Sequence, residues 1–432
     1  MNKPQAPTQA QTYCDLYSGE TILIKASGKE MLPNKLSALV DNIKSLIANG
    51  IHVIFVFGGG DQIDEEWHKT HSEPRKKPDG VGETSEKVLN DGVIPAYTKL
   101  REQIESLLPE LTVIDPSQIE CDIDDSKGLV GIPTEFRIET PQDIAIGFMG
   151  HKDEQQLNVN GDDQVRGLVK QFGDQINAVI MLTDIGGVVD DEGKRVNIIL
   201  SHEMNDDGTH KRIKITGGMK KKLKVGKQIL PDIGKFAMTT GSLLQEEIES
   251  WRGSGTLCVQ TDQLSCSPPN QREIEIFMQV YQDFVASGDF RNRTPNELQE
   301  IIDHHFILRI KNSPLGGFSL IPREEEYVEM SVLWSGYLNN GIGKILGEEA
   351  KRKFGEMANA RTLFALTTPK DHDDVFENFE ERVKIIRRFL RYGFSMQGYL
   401  KDVRGSYQIK LPKMLKEYDV EKRNPLMFTY RK

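Results

Sequence analysis

At 432 residues the chain is too long for one ordinary core, so two domains are expected. With 28% charged and 38% apolar residues it has the composition of a folded globular protein, and its net charge of −10 excludes a general nucleic-acid binder, whose footprint would be basic. No apolar run approaches a membrane span, and the four cysteines (Cys14, Cys121, Cys258, Cys266) form no CxxC pair. Neither a disulfide framework nor a metal site is therefore expected, and a cytoplasmic location is the default.

In chain order, the opening "MNKPQAPTQAQTYC" has no signal-peptide core and reads as a frayed polar leader over residues 1–19. "TILIKASG" is a buried strand ending in a glycine turn, and "NKLSALVDNIKSLIANG" has helical spacing and stops at Gly50. "IHVIFVFGGG" is a second buried strand running into glycines. "QVRGLVKQFG" is helical, "NAVIMLTDIGGV" is strand and loop, and "MKKKLKVGKQILPDIG" is helical again. This alternation predicts a largely parallel sheet with helices on both faces. The Ser/Pro/Asn-rich stretch around Pro268 and Pro269 marks a boundary, after which "REIEIFMQVYQDFVAS" opens a new unit with a core-facing helical stripe.

Three features of the first half carry chemistry. Lys25 ends a strand just before Ser27 and Gly28. Gly58, Gly59 and Gly60 follow a buried strand and open a helix, where backbone N–H groups and the helix N-terminus can approach an anion. Asn158, Asn160 and Asp162 sit in a polar turn before another helix. A glycine run after a strand is, by itself, more often a tight turn than a phosphate cradle.

In this order, "IKASGKEM", "VFGGGDQID", "LNVNGDDQV", "LTDIGGVVDDEGK" and "ITGGMKKKLK" resemble the amino-acid kinase family over residues 20–262. The resemblance implies an α/β domain, an αβα sandwich that holds ATP with Mg and a small acid across the C-terminal strand edges. It assigns Lys25 and Lys222 to the phosphates and Asp162 to organising the two lysines. Gly58, Gly59 and Gly60 would face the transferred phosphoryl, Asn158 and Asn160 the substrate, and Asp184 and Gly187 the nucleotide. Fixed cations suit a transfer whose charge spreads over phosphoryl oxygens. Lys220, Lys221 and Lys224 fall on other faces and read as solvated. One departure stands out: in "DGVGETS", Gly82 occupies the place of the family's carboxylate-clamping arginine, while Thr84 is kept. The stretch before Asn158 is also one helix short. The domain is left as either a regulator or a second active site.

In the second half, the strand "VEMSVLW" leads through "SGYLNNGIGK" into an amphipathic helix. This resembles the Gcn5-related N-acetyltransferase (GNAT) fold, whose turn reads Arg/Gln-x-x-Gly-x-Gly/Ala, with Leu338 here in the leading place. The resemblance implies an α+β domain over residues 272–432, joined by a connector at 263–271. Asn339, Asn340, Gly341, Ile342, Gly343 and Lys344 would hold the acetyl-CoA pyrophosphate, and Val332 and Leu333 its pantetheine arm.

The order of the two domains, with "DFRNRTPNELQE", "LFALTT", "RYGF" and "LPKMLKEYDVEKRNPLMF", resembles the family of bacterial N-acetylglutamate synthases. That implies acetylation of the α-amine of L-glutamate, the first step of arginine biosynthesis. Glu329 would be the base, Thr367 would assist the thiolate, and Arg293 and Arg423 would bind the carboxylates. It also implies a homo-oligomer and allows arginine as effector, while the charge, the lack of a membrane-length apolar run and the scattered cysteines argue against nucleic-acid, membrane and metal partners. The rival readings are an acetylglutamate kinase, alone or bifunctional, and a non-catalytic amino-acid sensor.

Plainer roles stand beside these. Glu329 could form a cross-strand pair, Arg293 could cap the helix "TPNELQEIIDHH", and Arg423 could pair with Glu417 or Asp419. His304 and His305 read as helix-end residues rather than metal ligands.

Overall fold

The structure, a computed structural model, describes residues 14–75, 83–215, 217–324, 326–337, 341–367, 387, 389–390, 393–399 and 426–431. The chain divides into two compact units, residues 1–263 with 310–312, and residues 264–309 with 313–432.

The first unit is built on continuous apolar runs. β1 (Thr21–Ala26) and β2 (His52–Phe57) pair in parallel from Thr21–His52 to Ala26–Phe57 and are buried almost throughout, as interior strands of a parallel sheet must be. Then come β3 (Thr112–Val113), β4 (Ile119–Ile123), β5 (Val130–Phe136), β6 (Ile144–Ile146), β7 (Met149–Lys152) and β8 (Gln155–Val159). β9 (Ile176–Leu182), β10 (Ile198–Leu200), β11 (Lys235–Thr239) and β12 (Thr256–Val259) follow. The main sheet has the order β10-β12-β11-β9-β1-β2-β6-β3, and β11–β12 is antiparallel while the other registered pairs run parallel.

The unit's helices include α1 (Pro33–Ala48), α2 (Gly60–His68), α3 (Ile94–Leu107), α4 (Gly161–Phe172), α5 (Gly217–Ile233) and α6 (Leu244–Glu249). α1 buries Leu36, Leu39, Val40, Ile43 and Leu46 as one stripe, and Gly50 takes the chain out through a left-handed φ of 77°.

Two findings differ from the sequence reading. The stretch read as one helix short holds a small closed barrel, β4-β5-β8-β7, around the buried Cys121. A Cβ at Gly150 would come 2.6 Å from Cys121 Sγ, so this wall needs glycine. The leader is also not frayed up to residue 19. Residues 14–17 form a helical turn that buries Cys14 and Leu16, and Lys235 Nζ donates to Tyr17 Oη at 3.0 Å. Apolar side chains there have a core to enter, which overrides the polar composition before them.

The second unit has β13 (Leu264–Ser267), β14 (His305–Ile310), β15 (Ser313–Glu324), β16 (Tyr327–Ser335), β17 (Thr362–Thr367), β18 (Ser395–Tyr399) and β19 (Leu426–Arg431), in the order β13-β14-β15-β16-β17-β19-β18. Its helices include α7 (Gln271–Ala286), α8 (Pro295–Asp303) and α9 (Ile342–Glu356). The connector expected at 263–271 is corrected here: β13 lies inside it, an edge strand whose Ser267 Oγ accepts from Arg309 Nη1 at 2.5 Å. Among the described residues no helix is long and apolar enough to cross a membrane.

Candidate active sites

In the first unit, Lys25 closes β1 just as α4 begins at Gly161. Asn160 caps that helix, its Oδ1 accepting from the Asp162 amide at 3.0 Å, so this expected substrate contact is occupied in holding the backbone. The cap aims Asp162 at Lys25, whose Nζ stands 2.8 Å from Asp162 Oδ1. Gly161 leaves room for the lysine, since a Cβ there would lie 2.9 Å from Lys25 Cε. Lys222 reaches the same place from α5. Burial first and the nearby Lys25 charge second pull the Lys222 ammonium below its usual range, against the opposing charges of Asp162 and Asp184. Burial works against ionising Asp162, but the charges of Lys25 and then Lys222 hold its carboxyl below the usual range. Lys25 thus pairs with the Asp162 carboxylate while the Lys222 charge acts on both, which leaves a surplus positive charge suited to an anion.

Around it, Asp184 pairs with Lys29 at 3.3 Å, both half exposed. A Cβ on Gly28 would lie 2.8 and 2.9 Å from the amides of Gly60 and Asp61, so the two glycine turns pack back to back. Gly58 donates to Ala26 O at 2.9 Å, and Gly59 lies against the Phe148 ring, whereas nothing lies within 4 Å of a Cβ placed on Gly60. Of the three, Gly60 is the one with open space. Gly187 packs on Thr256, where a Cβ would come 2.6 Å from Oγ1, a structural reason for the glycine. Asn158 Nδ2 donates to Thr84 Oγ1 at 2.9 Å, whereas Gly82 lies outside the described residues.

Lys220, read as solvated, lies on the surface in an ion pair with Asp207 at 2.9 Å; Lys221 and Lys224 are exposed. The pair belongs to a clip that the sequence did not show. Residues Met204 and His210 bridge a tight hairpin, and Gly208 (φ 83°) presses on the α5 backbone with a Cβ position 2.8 Å from Lys224 N. His210 Nδ1 accepts the amides of Arg212 and Ile213, each at 3.1 Å. The turn signal "NDDGT" was legible, but its docking on the helix of Lys222 is a long-range event.

In the second unit, β16 pairs in parallel with β17 only from Tyr327 to Glu329, against Thr362 to Phe364, while β17 stays registered with β19 from Thr362 to Thr367. Glu329 therefore stands at the fork where β16 and β17 part. Just beyond, Val332 adopts φ 50° and the ladder to β15 jumps from Ser331–Ser319 to Trp334–Gly317, a bulge that exposes strand backbone. Across the fork α9 starts at Gly341 (φ 89°), whose carbonyl accepts from Lys344 N at 3.0 Å and Ile345 N at 3.2 Å. The amides of Ile342 and Gly343, in the first turn, have no acceptor within the helix.

Arg323 Nε and Nη2 lie 2.8 and 2.6 Å from Glu329 Oε2, and Arg323 Nη1 lies 2.8 Å from Glu300 Oε1. Burial works against the Arg323 cation, but the charges of Glu329 and Glu300 raise its affinity for the proton. The plainer reading of Glu329 as a residue in a cross-strand pair is therefore met. Arg293 does not cap α8: Thr294 does, in a capping box with Glu297. Arg293 Nη2 instead donates to Ser331 Oγ at 3.2 Å, and its Nη1 is buried with no hydrogen-bond partner among the described residues. Asn339, Asn340, Leu338 and Arg423 lie outside the described residues, as does the side chain of Thr367. His305 is a core residue between Ser319 Oγ (2.8 Å) and Trp334 Nε1 (3.1 Å), and burial pushes it down to about 3. Among the described residues no cluster of His, Cys, Asp or Glu is arranged to hold a metal ion.

No family model matches the chain. Its first half is similar to acetylglutamate kinases. One from Xanthomonas campestris pv. campestris is 29% identical over 247 residues, covering 53% of this chain and 57% of that protein. Another, from Rhizorhabdus wittichii, is 27% identical over 262 residues, covering 52% and 82%. The chain thus spans little more than half the length of the Xanthomonas relative. Over the whole chain it is similar to N-acetylglutamate synthase from Neisseria gonorrhoeae. The form complexed with coenzyme A and L-arginine has a TM-score of 0.64 at 16% identity, covering 98% of this chain and 97% of that one. The form complexed with coenzyme A and N-acetyl-glutamate gives 0.55 at 17%, with the same coverage. The chain therefore has the fold of N-acetylglutamate synthase, an amino-acid-kinase-type domain followed by a GNAT-type acetyltransferase domain.

Proposed function

We propose that the second unit transfers the acetyl group of acetyl-CoA to the α-amine of L-glutamate. The observation that carries this is the fork of β16 and β17 with Glu329 at its apex. A thioester arm laid along the freed edge of β16, at Val332 and Leu333, would bring its carbonyl beside Glu329, and the amides of Ile342 and Gly343 would take the pyrophosphate. Glu329 accepts the ammonium proton, directly or through one water. The freed nitrogen attacks the carbonyl carbon, the C–N bond forms, the C–S bond breaks, and the thiolate takes up a proton. The buried Nη1 of Arg293, without a hydrogen-bond partner among the described residues, supports a carboxylate-bearing acceptor, since such a donor seeks an anion. The Neisseria structures carry coenzyme A with N-acetyl-glutamate or L-arginine, which supports this substrate pair and an arginine effector. A homo-oligomer in the cytoplasm belongs to the same reading.

The Lys25–Asp162–Lys222 cluster favours a second activity in the first unit, phosphoryl transfer from ATP to N-acetylglutamate. A regulatory domain has no chemical need for a buried Lys25–Asp162 pair with a second, desolvated lysine beside it. Lys25 and Lys222 would hold the phosphates, and Mg supplied with ATP would neutralise the rest of their charge. The test is a pair of assays on the purified chain: glutamate with acetyl-CoA, then N-acetylglutamate with ATP. Absence of N-acetylglutamate in the first sinks the acetyltransferase reading. ADP formation that survives Lys222→Ala sinks the kinase reading.

A further inference from the structure

Arg323 is not required by either glycine turn or by the fork, yet it engages two carboxylates, those of Glu329 and Glu300. It lies near the end of β15, where the ladder to β16 slips between Pro322 and Glu324. That irregularity brings its guanidinium diagonally onto Glu329. Nε and Nη2 both address one oxygen, Oε2, while Nη1 turns away to Glu300 on α8. The side chains of Arg323 and Glu329 are 20% and 13% exposed, so solvent screens this pair far less than a surface one. A contact made wholly through Oε2 fixes the carboxylate plane and commits the arginine to neither lone pair of Oε1.

We infer that Arg323 is a positioning residue for acetyl transfer, holding the Glu329 carboxylate through Oε2 with Oε1 turned to the acceptor amine. This rests on the acetyltransferase reading above. The alternative is a mere staple across the β15–β16 hairpin, and the two make different demands. A staple stabilises the fold and leaves the chemistry alone. A positioning cation holds the carboxylate where the acceptor amine must meet it, so its loss costs turnover rather than affinity for acetyl-CoA. Among the described residues, Glu300 shares the guanidinium from α8, and Arg293 reaches Ser331, two residues along β16. From β17, Glu329 faces the neutral Phe364.

The experiment is steady-state acetyl transfer by the full chain, wild type, Arg323→Met and Arg323→Lys, with the melting midpoint of each variant measured alongside. Arg323→Met is expected to lower kcat roughly 10- to 100-fold while KM for acetyl-CoA stays within about threefold. Arg323→Lys keeps the charge but loses the two-nitrogen geometry, and should restore only part of kcat. If Arg323→Lys and Arg323→Met both keep the wild-type kcat, whatever their melting midpoints, Arg323 is a staple and the inference falls. A wild-type chain that makes no N-acetylglutamate overturns the underlying reading and this one with it, which distinguishes the two failures.

Discussion

Lys25 Nζ and Asp162 Oδ1 are 2.8 Å apart, with only 8% and 19% of their side chains in contact with water. Removing one partner of such a pair strands the other, and here Asp162→Asn leaves Lys25 without its partner and facing the charge of Lys222. It should destabilise the first unit by about 3 kcal/mol or more and abolish ADP formation. The double change Lys25→Met with Asp162→Leu removes both charges and should cost clearly less than the sum of the single changes. Denaturant titration of all the variants measures this, and simple additivity would show that the two residues do not depend on each other.

Gly208→Ala tests the clip on α5. The positive φ alone costs ~1 kcal/mol, and the added Cβ also meets helix backbone, which cannot rotate away. A total above ~2 kcal/mol should lower the first unit's melting midpoint by about 4–8 °C. Gly193 provides the control: it has φ 77° with nothing within 4 Å, so Gly193→Ala carries only the conformational part. Equal losses in the two variants would mean that the clip does not bear on the helix.

His305 makes the second unit sensitive to acid. Its folded value, pushed down to about 3, lies below its ordinary 6.5, so the unfolded chain binds the extra proton between those limits. Stability is fully present above about pH 6.5 and is lost as pH falls toward 3, by up to ~1.4 kcal/mol per pH unit for this group. From pH 7 to 5 the loss is about 2 kcal/mol. His305→Gln can keep partners at Ser319 and Trp334 without titrating, and should flatten the pH dependence of the unfolding midpoint. An unchanged slope in the variant would assign the acid sensitivity elsewhere.

Arg293 should trade stability against function. Among the described residues its buried Nη1 has no partner and the side chain holds only the Nη2–Ser331 hydrogen bond, so Arg293→Met is expected to change the melting midpoint little or to raise it. The same change should raise KM for glutamate at least ~10-fold, since a charged hydrogen bond to substrate is worth about 1.5–3 kcal/mol. A lower midpoint with an unchanged KM would make Arg293 a structural residue.

The parallel sheet and the glycine turns were legible because β1 and β2 are continuous apolar runs followed by glycine, a local signal. Lys25, Asp162 and Lys222 were found through motif order, and the cap by Asn160 explains why Asp162 faces Lys25. The barrel around Cys121 was not legible, because its strands are short and the small residues Gly131 and Gly150 that close it look like turn residues. Arg323 was missed because "REEE" reads as a polar turn, whereas β15 runs on to Glu324. Its spacing of six from Glu329 across a hairpin was the available signal. Trp334 shows the limit of two-residue alternation. It shares His305 with Ser319, the partner of Ser331, so an even-numbered residue faces the side of an odd-numbered one.

That parity change makes residue 332 surplus to the strand. If one residue were deleted there, Glu329, Ser331 and Trp334 would keep their sides and the hairpin would close as an unbroken ladder. Folding alone would tolerate a shorter β16, without a β-branched residue held at φ 50°. An insertion of one residue elsewhere in the strand would instead reverse every side chain beyond it. Length variation among related chains should therefore be asymmetric at this strand, forgiving at one position and prohibitive at its neighbours.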